Sequence, residues 1–315
     1  MPPAPLRLGA LNWNQYATWE QLLGAGVRAD RLGYDTLWTW DHLYPIVGSP
    51  EGPMFEAWLT LAAWAQRTER IRIGLMVGAN PFRNPAVVAK MVTTLDHQSG
   101  GRAILGIGAA WFETEHEACG RPFGEGAPER LRWLAEALPV LRGMLRGETP
   151  SATGPHYAMK NVRNDPPPVQ ERLPIVVGGG GEKVTLKLVA RYADACNIGG
   201  GLATVTRKEA ILRRHCETVR RDEREIERTT NVGVVIIRDT EAAARRAFEA
   251  IFEHNGRARL WHDQPVGTPE QVAEKLAPYR DLGYHHLLAG FPAPYDEESM
   301  ARFQTDVRAL LERDA

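Results

Sequence analysis

A closed barrel of eight parallel strands, each followed by a helix, is the α/β fold class that the sequence predicts. Three observations lead to it. Apolar, β-branched runs of strand length recur eight times, with helical periodicity between them. Runs such as 71–76 and 103–107 are apolar throughout, as parallel strands covered on both faces must be. The 315 residues suit one (β/α)8 domain spanning 1–315. The other way to alternate strands and helices, a doubly wound open sheet, more often stops at six or seven strands.

Taken in order, the first strand covers 6–11 and ends at Asn12-Trp13-Asn14. Thr18 and Gln21 have capping-box spacing, and the helix they open places Leu22, Ala25, Ala29 and Leu32 on one side before Gly33 stops it. The second strand, 35–38, runs into Thr39-Trp40-Asp41-His42, and the Pro- and Gly-rich stretch 43–54 is a loop. An apolar helix over 55–68 leads to the third strand, 71–76, which leaves through Met76-Val77-Gly78-Ala79-Asn80. Asn84 caps the next helix and Pro85 suits its first turn. Val87, Met91 and Leu95 repeat along one face until Gly100-Gly101.

The fourth strand, 103–107, leaves through Gly108-Ala109-Ala110-Trp111. An irregular stretch over 111–128 precedes a leucine-spaced helix, 129–145, that Pro139 should kink. The proline-rich stretch 147–172 enters the fifth strand, 174–177, and is expected on the face away from the site. Gly178-Gly179-Gly180-Gly181 follows that strand. Then come a helix over 182–192, a sixth strand over 194–198 ending in Gly199-Gly200-Gly201, and a long charged helix over 204–228. The seventh strand is 231–237, with a helix over 240–254 after it. Thr268-Pro269 and Gln271 open another helix with cap, first-turn proline and capping box. The eighth strand, 284–289, and a helix over 297–311 complete the alternation.

Composition narrows the function classes. The net charge of −1 gives no reason to expect nucleic acid or an anionic membrane as partner. No run approaches membrane-spanning length, and the first residues lack a basic segment followed by a long apolar one, so a cytoplasmic protein is expected. Cys119, Cys196 and Cys216 are scattered, which suits neither a disulfide framework nor a thiolate metal site.

In a barrel the loops that leave strands line the catalytic face. That face would gather Asn12-Trp13, Asp41-His42, the 76–80 loop, the 108–111 loop, the glycines after strands five and six, and Gly290-Phe291. Small residues let backbone amides approach a phosphate or a flat ring. Asp41-His42 is an acid–His pair at a strand end, and a neutral imidazole there can pass a proton near neutral pH. His285-His286 lies inside a strand and reads as structural, and Cys119 as inert. No His-x-His marks the first strand for a metal and no G-x-S-x-G marks a nucleophile, so no metal ligands are assigned. What remains suits a large, phosphorylated, flat-ringed cofactor, with Arg83, Lys183 and Lys187 near its phosphate end.

The stretches TLWTWDHLYP, NPFRNPAVVAKMVTTLDHQSGGRAILGIGAAWFETEHEACG, PPPVQERLPIVVGGGGEKVTLKLVARYADACN and GTPEQVAEKL resemble the bacterial luciferase-like monooxygenase superfamily, most nearly its coenzyme F420-dependent oxidoreductases. The resemblance covers nearly the whole chain. It implies a luciferase-like TIM barrel with extra loops that binds a flavin or deazaflavin, usually as a homodimer, and acts on a small organic molecule. It places Asp41 and His42 beside the ring, with His42 as proton donor or acceptor. It sets Met76-Val77 at a non-prolyl cis peptide that makes a bulge behind the ring, next to Gly78. Gly108, Ala109 and Ala110, with Gly178, Gly179, Gly180 and Gly181, fall in the loops that hold the cofactor. Trp111 stands where relatives that oxidise a sugar phosphate carry a glutamate, which speaks for an uncharged substrate. Coenzyme F420 is the expected cofactor. The alternatives are a reduced-FMN-dependent monooxygenase and a non-catalytic flavin-binding barrel.

Overall fold

The computed structural model describes residues 5–256 and 261–313. Its strands are β1 (Arg7–Asn12), β2 (Thr36–Thr39), β3 (Arg72–Leu75), β4 (Ala103–Gly108), β5 (Ile175–Gly178), β6 (Ala195–Asn197), β7 (Glu227–Val234) and β8 (His286–Phe291). Each pairs in parallel with its sequence neighbours. β8 returns to β1, with Arg7 opposite His286 and Asn12 opposite Phe291, so the expected barrel is closed.

Local signals formed the helices as expected. Thr18 and Gln21 make a reciprocal capping box at α1 (Trp19–Leu32), and Thr268 and Gln271 make another at α9 (Pro269–Asp281). Between these lie α2 (Ala57–Arg67), α3 (Pro85–Ser99), α4 (Glu113–Ala118), α5 (Ala127–Leu145), α6 (Thr185–Tyr192), α7 (Leu202–Thr218) and α8 (Glu241–His254). Asn84 caps α3, and Gly33 and Gly100 end α1 and α3 in the left-handed conformation that glycine adopts without a Cβ penalty.

Three expectations need correction. The charged helix over 204–228 stops at Thr218, because Glu227 and Arg228 belong to β7 and Arg228 is buried against Glu209. The stretch 111–128 is not wholly irregular, since it holds α4. The expected helix over 129–145 forms as α5, with Pro139 inside it. The stretch 147–172 does not stay at the far end of the barrel. A short hairpin, Ala152–Thr153 with Ala158–Met159, carries Tyr157 up to the loop after β3, where its hydroxyl lies 3.2 Å from both the side-chain nitrogen and the carbonyl of Asn80.

The barrel interior is filled by side chains, Trp38 chief among them. A Cβ on Gly9 would stand 3.1 Å from Trp38 Nε1, and one on Gly74 2.8 Å from its ring, so glycines flank the indole. The apolar packing continues from Leu11, Ile104, Val176 and Leu288 to Trp13, Phe248 and Phe252. α8 is thus an addition to the barrel, packed over Trp13 at the end where β1 emerges. At the other end His286 is buried between Thr36 Oγ1 (2.7 Å) and Glu227 Oε1 (2.9 Å), the structural role expected of that pair.

Candidate active site

β2 carries Asp41 and His42 to the catalytic end, but their side chains have different partners. Asp41 is 2% exposed. Its Oδ2 accepts the Ala79 amide (2.8 Å) and Arg83 Nη1 (2.7 Å), and Arg83 also reaches Glu56 Oε1 (3.0 Å). Burial pushes the Asp41 carboxyl above its ordinary value, against the opposing pull of Arg83 and the Ala79 amide. Asp41 therefore pins the segment just after Val77, and Arg83 is committed to two carboxylates.

The carboxylate that meets His42 is Glu115, on α4. Its Oε1 lies 2.7 Å from His42 Nδ1, and its Oε2 accepts the Leu43 amide at 2.7 Å. Glu115 is fully buried. With an ionised carboxylate, which can only accept, Nδ1 is the donor of this bond, and no described residue engages Nε2. The ring centroids of Trp111 and Phe112 stand 5.5 and 6.0 Å from the imidazole. His42 is thus oriented by a carboxylate on one side and bordered by aromatic surface on the other.

Behind this pair the Met76–Val77 peptide is cis, and β3 bulges. Gly74 pairs with Ile104 and Gly78 with Ile107, four steps on one chain against three on the other. The bulge lifts Val77 so that its methyls lie 2.8 Å from where a Cβ on either Gly108 or Gly178 would stand. These two glycines are needed for Val77. One β-branched side chain from β3 interlocks with the ends of β4 and β5 and makes an apolar floor.

The remaining glycines lie farther out. Gly179 has a φ of 115°, and Gly180 is covered by the Lys208 ammonium, 2.2 Å from a notional Cβ. Lys183 and Lys187 are exposed on α6 and its approach. Ala109 and Ala110 are half-buried, Ala110 in the left-handed region at φ 61°. Trp111 is 62% exposed, and Val184 and Leu202 are exposed after β5 and β6, giving this end an apolar rim.

The structure therefore brings His42 next to Trp111, Asp41 next to Gly78, and Val77 next to Gly108 and Gly178. Gly179, Gly180 and Gly181 form a separate cluster. Glu115 and Lys208 were not singled out in the sequence, because each stands among charged neighbours on a polar helix. Tyr157 was hidden in a stretch without periodicity. Its buried phenol is pushed up to about 12, so it remains a protonated partner for Asn80. Among the described residues no cluster of three or more His, Cys, Asp or Glu is placed to hold a metal ion.

Comparison with known proteins agrees with this architecture. The chain is 28% identical to an F420-dependent glucose-6-phosphate dehydrogenase of Amycolatopsis mediterranei, over 92% of this chain and 94% of the relative. It is 24% identical to an FMNH2-dependent dimethylsulfone monooxygenase of Pseudomonas putida, over 71% and 70%. The coenzyme F420-dependent tetrahydromethanopterin reductase of Methanopyrus kandleri superposes with a TM-score of 0.82 at 17% identity, over 98% of this chain and 100% of that one. Residues 6–265 match the family described as luciferase-like monooxygenase, and the chain belongs to that family.

Proposed function

We propose that the protein is a coenzyme F420-dependent oxidoreductase acting on a small, uncharged organic substrate. The observation that carries the reading is the His42–Glu115 pair at an apolar mouth, beside glycine loops with free backbone donors. The residues present fit a flat, phosphorylated ring. Val77 offers an apolar floor, and the amides of Gly180 and Gly181 donate to no backbone carbonyl among the described residues. In this reading Asp41, Met76, Val77, Gly78, Gly108, Ala109, Ala110 and Trp111 border the ring, and Gly178, Gly179, Gly180 and Gly181 hold its phosphate-bearing side chain. The bound deazaflavin supplies a carbon, C5, that accepts or donates hydride.

The chain's own part is proton handling and enclosure. His42 Nε2 takes the proton that a substrate hydroxyl releases as its carbon loses hydride, or returns it in the opposite direction. Glu115 holds the imidazole in the tautomer that leaves Nε2 free, and stabilises the imidazolium that forms. Asp41 acts through Ala79 and Arg83 as a positioning residue. Trp111 and Phe112 keep water from the imidazole. The arginines on the His42 side are engaged among the described residues, Arg83 by Asp41 and Glu56 and Arg121 and Arg130 by the carbonyls of Phe82 and Phe123, which speaks against a phosphorylated sugar beside the imidazole. The rest of the reading is a cytoplasmic homodimer, one barrel domain over residues 1–315, with no nucleic-acid or membrane partner.

Replacing Glu115 by Gln is expected to lower kcat about 10- to 100-fold while cofactor affinity stays within a factor of two or so, as when the outer partner of an active histidine is lost. Equal losses in kcat and cofactor binding would point to collapse of the loop instead.

Purified protein should bind coenzyme F420 at least about tenfold more tightly than FMN, with the preference shrinking as salt screens the tail carboxylates. The dimethylsulfone monooxygenase relative supports a second reading, a reduced-FMN-dependent monooxygenase. Tighter FMN binding with oxygen-dependent turnover would establish that reading in place of the first. Ligand binding without turnover of any substrate would leave a flavin-binding barrel.

A further inference from the structure

The two glycine loops after β5 and β6 hold backbone donors that nothing among the described residues uses. The amides of Gly180, Gly181, Gly199, Gly200 and Gly201 donate to no backbone carbonyl among the described residues. A notional Cβ on Gly199 or Gly201 would meet nothing within 4 Å, so open space stands over that loop. Gly200 has a φ of 125°, a conformation that glycine adopts far more readily than other residues.

Lys208, two turns into α7, stands at this cluster. Its side chain folds back along Gly180, with Nζ 2.2 Å and Cε 2.9 Å from where a Cβ would be. It is half-buried and has no carboxylate partner among the described residues. The acidic groups close by in sequence are taken, Glu182 by Arg207 and Glu209 by Arg228. A half-buried ammonium with no counter-ion beside unused amide donors is an arrangement completed by an oxyanion.

We propose that Lys208 is the cationic anchor for an oxyanion on the side chain of the ring ligand, held together with the amides of the two glycine loops. The proposal rests on the functional reading above, since it takes the ligand to be a deazaflavin or flavin. A phosphate suits an ammonium that lies against Gly180 beside the unused amides of Gly180 and Gly181. The carboxylates of an oligoglutamate tail offer the same chemistry farther along the ligand. A side chain at position 180 would have to move the end of the Lys208 side chain. Lys183 and Lys187, the lysines that sequence position suggests, are exposed and are not the anchor.

The test is fluorescence titration of the intact wild-type protein, Lys208→Met and Lys208→Arg with four probes: coenzyme F420, FMN, riboflavin, and the deazaflavin nucleoside that lacks both phosphate and tail. Lys208→Met is expected to weaken F420 and FMN about tenfold or more, the scale of one charge-assisted hydrogen bond, and to leave riboflavin and the nucleoside unchanged. Lys208→Arg should retain most of the affinity. Loss for F420 with FMN unchanged would assign the ammonium to the tail carboxylates, still as an oxyanion anchor. Equal weakening of all four probes, or none, overturns the anchor and leaves the proposed function standing. Failure of the wild-type protein to bind any probe overturns both. Unchanged melting temperatures in the variants confirm that the comparison is between folded proteins.

Discussion

Replacement of His42 by Ala is expected to cut turnover by about 10²–10⁴-fold, the usual contribution of a positioned general acid or base. In the proposed reaction the imidazole carries out the one proton transfer assigned to the chain, and neither of the two buried carboxylates described beside it can substitute. Glu115 is buried behind the ring rather than at the mouth, and Asp41 is consumed by Ala79 and Arg83. Cofactor affinity should fall much less, because the glycine loops and the Val77 floor do not depend on His42. Steady-state kinetics alongside equilibrium titration of F420 separate the two. An unchanged kcat would make His42 a packing residue. A loss in binding as large as the loss in kcat would make it a ligand contact rather than a proton carrier.

The second large effect is on the fold. Gly106→Ala places a Cβ 1.8 Å from the Leu75 carbonyl oxygen. Both partners are backbone, at the point where β3 bulges away from β4, so no rotamer change relieves the overlap. A barrel strand would have to shift, and a destabilisation of roughly 3–5 kcal/mol is expected. Gly24→Ala in α1 serves as the opposite control. A Cβ there meets nothing within 4 Å, so alanine should stabilise by about 0.5–1 kcal/mol through helix propensity. Thermal or denaturant unfolding of both variants reads these signs directly. Wild-type stability in Gly106→Ala would mean that the bulge is not formed as described.

What the sequence revealed divides along a physical line. Elements set by neighbours in the chain were readable. Thr18 with Gln21, Asn84 with Pro85, and the apolar run at 103–107 each carry their own signal within a few residues. Pairings that join distant segments were not. Glu115 differs in no local feature from Glu113 and Glu117, yet it alone of the three is buried. Arg228 reads as the end of a charged helix until its ion pair with Glu209 places it in β7. Gly108 and Gly178 were marked as positions where a cofactor approaches the backbone, and the structure places Val77 against both. That the close group is a valine from a third strand depends on a register shift that periodicity does not encode.

That valine bears on how the enzyme can be altered. Because Val77 occupies the space of two missing side chains at once, the three positions form a single unit, and a change at one has to be matched at the other two. Trp111, Val184 and Leu202 have no such mutual dependence and face outward. Redesign for a bulkier or more polar substrate should therefore start at that margin, where single substitutions can be screened independently, and leave the valine–glycine unit as found.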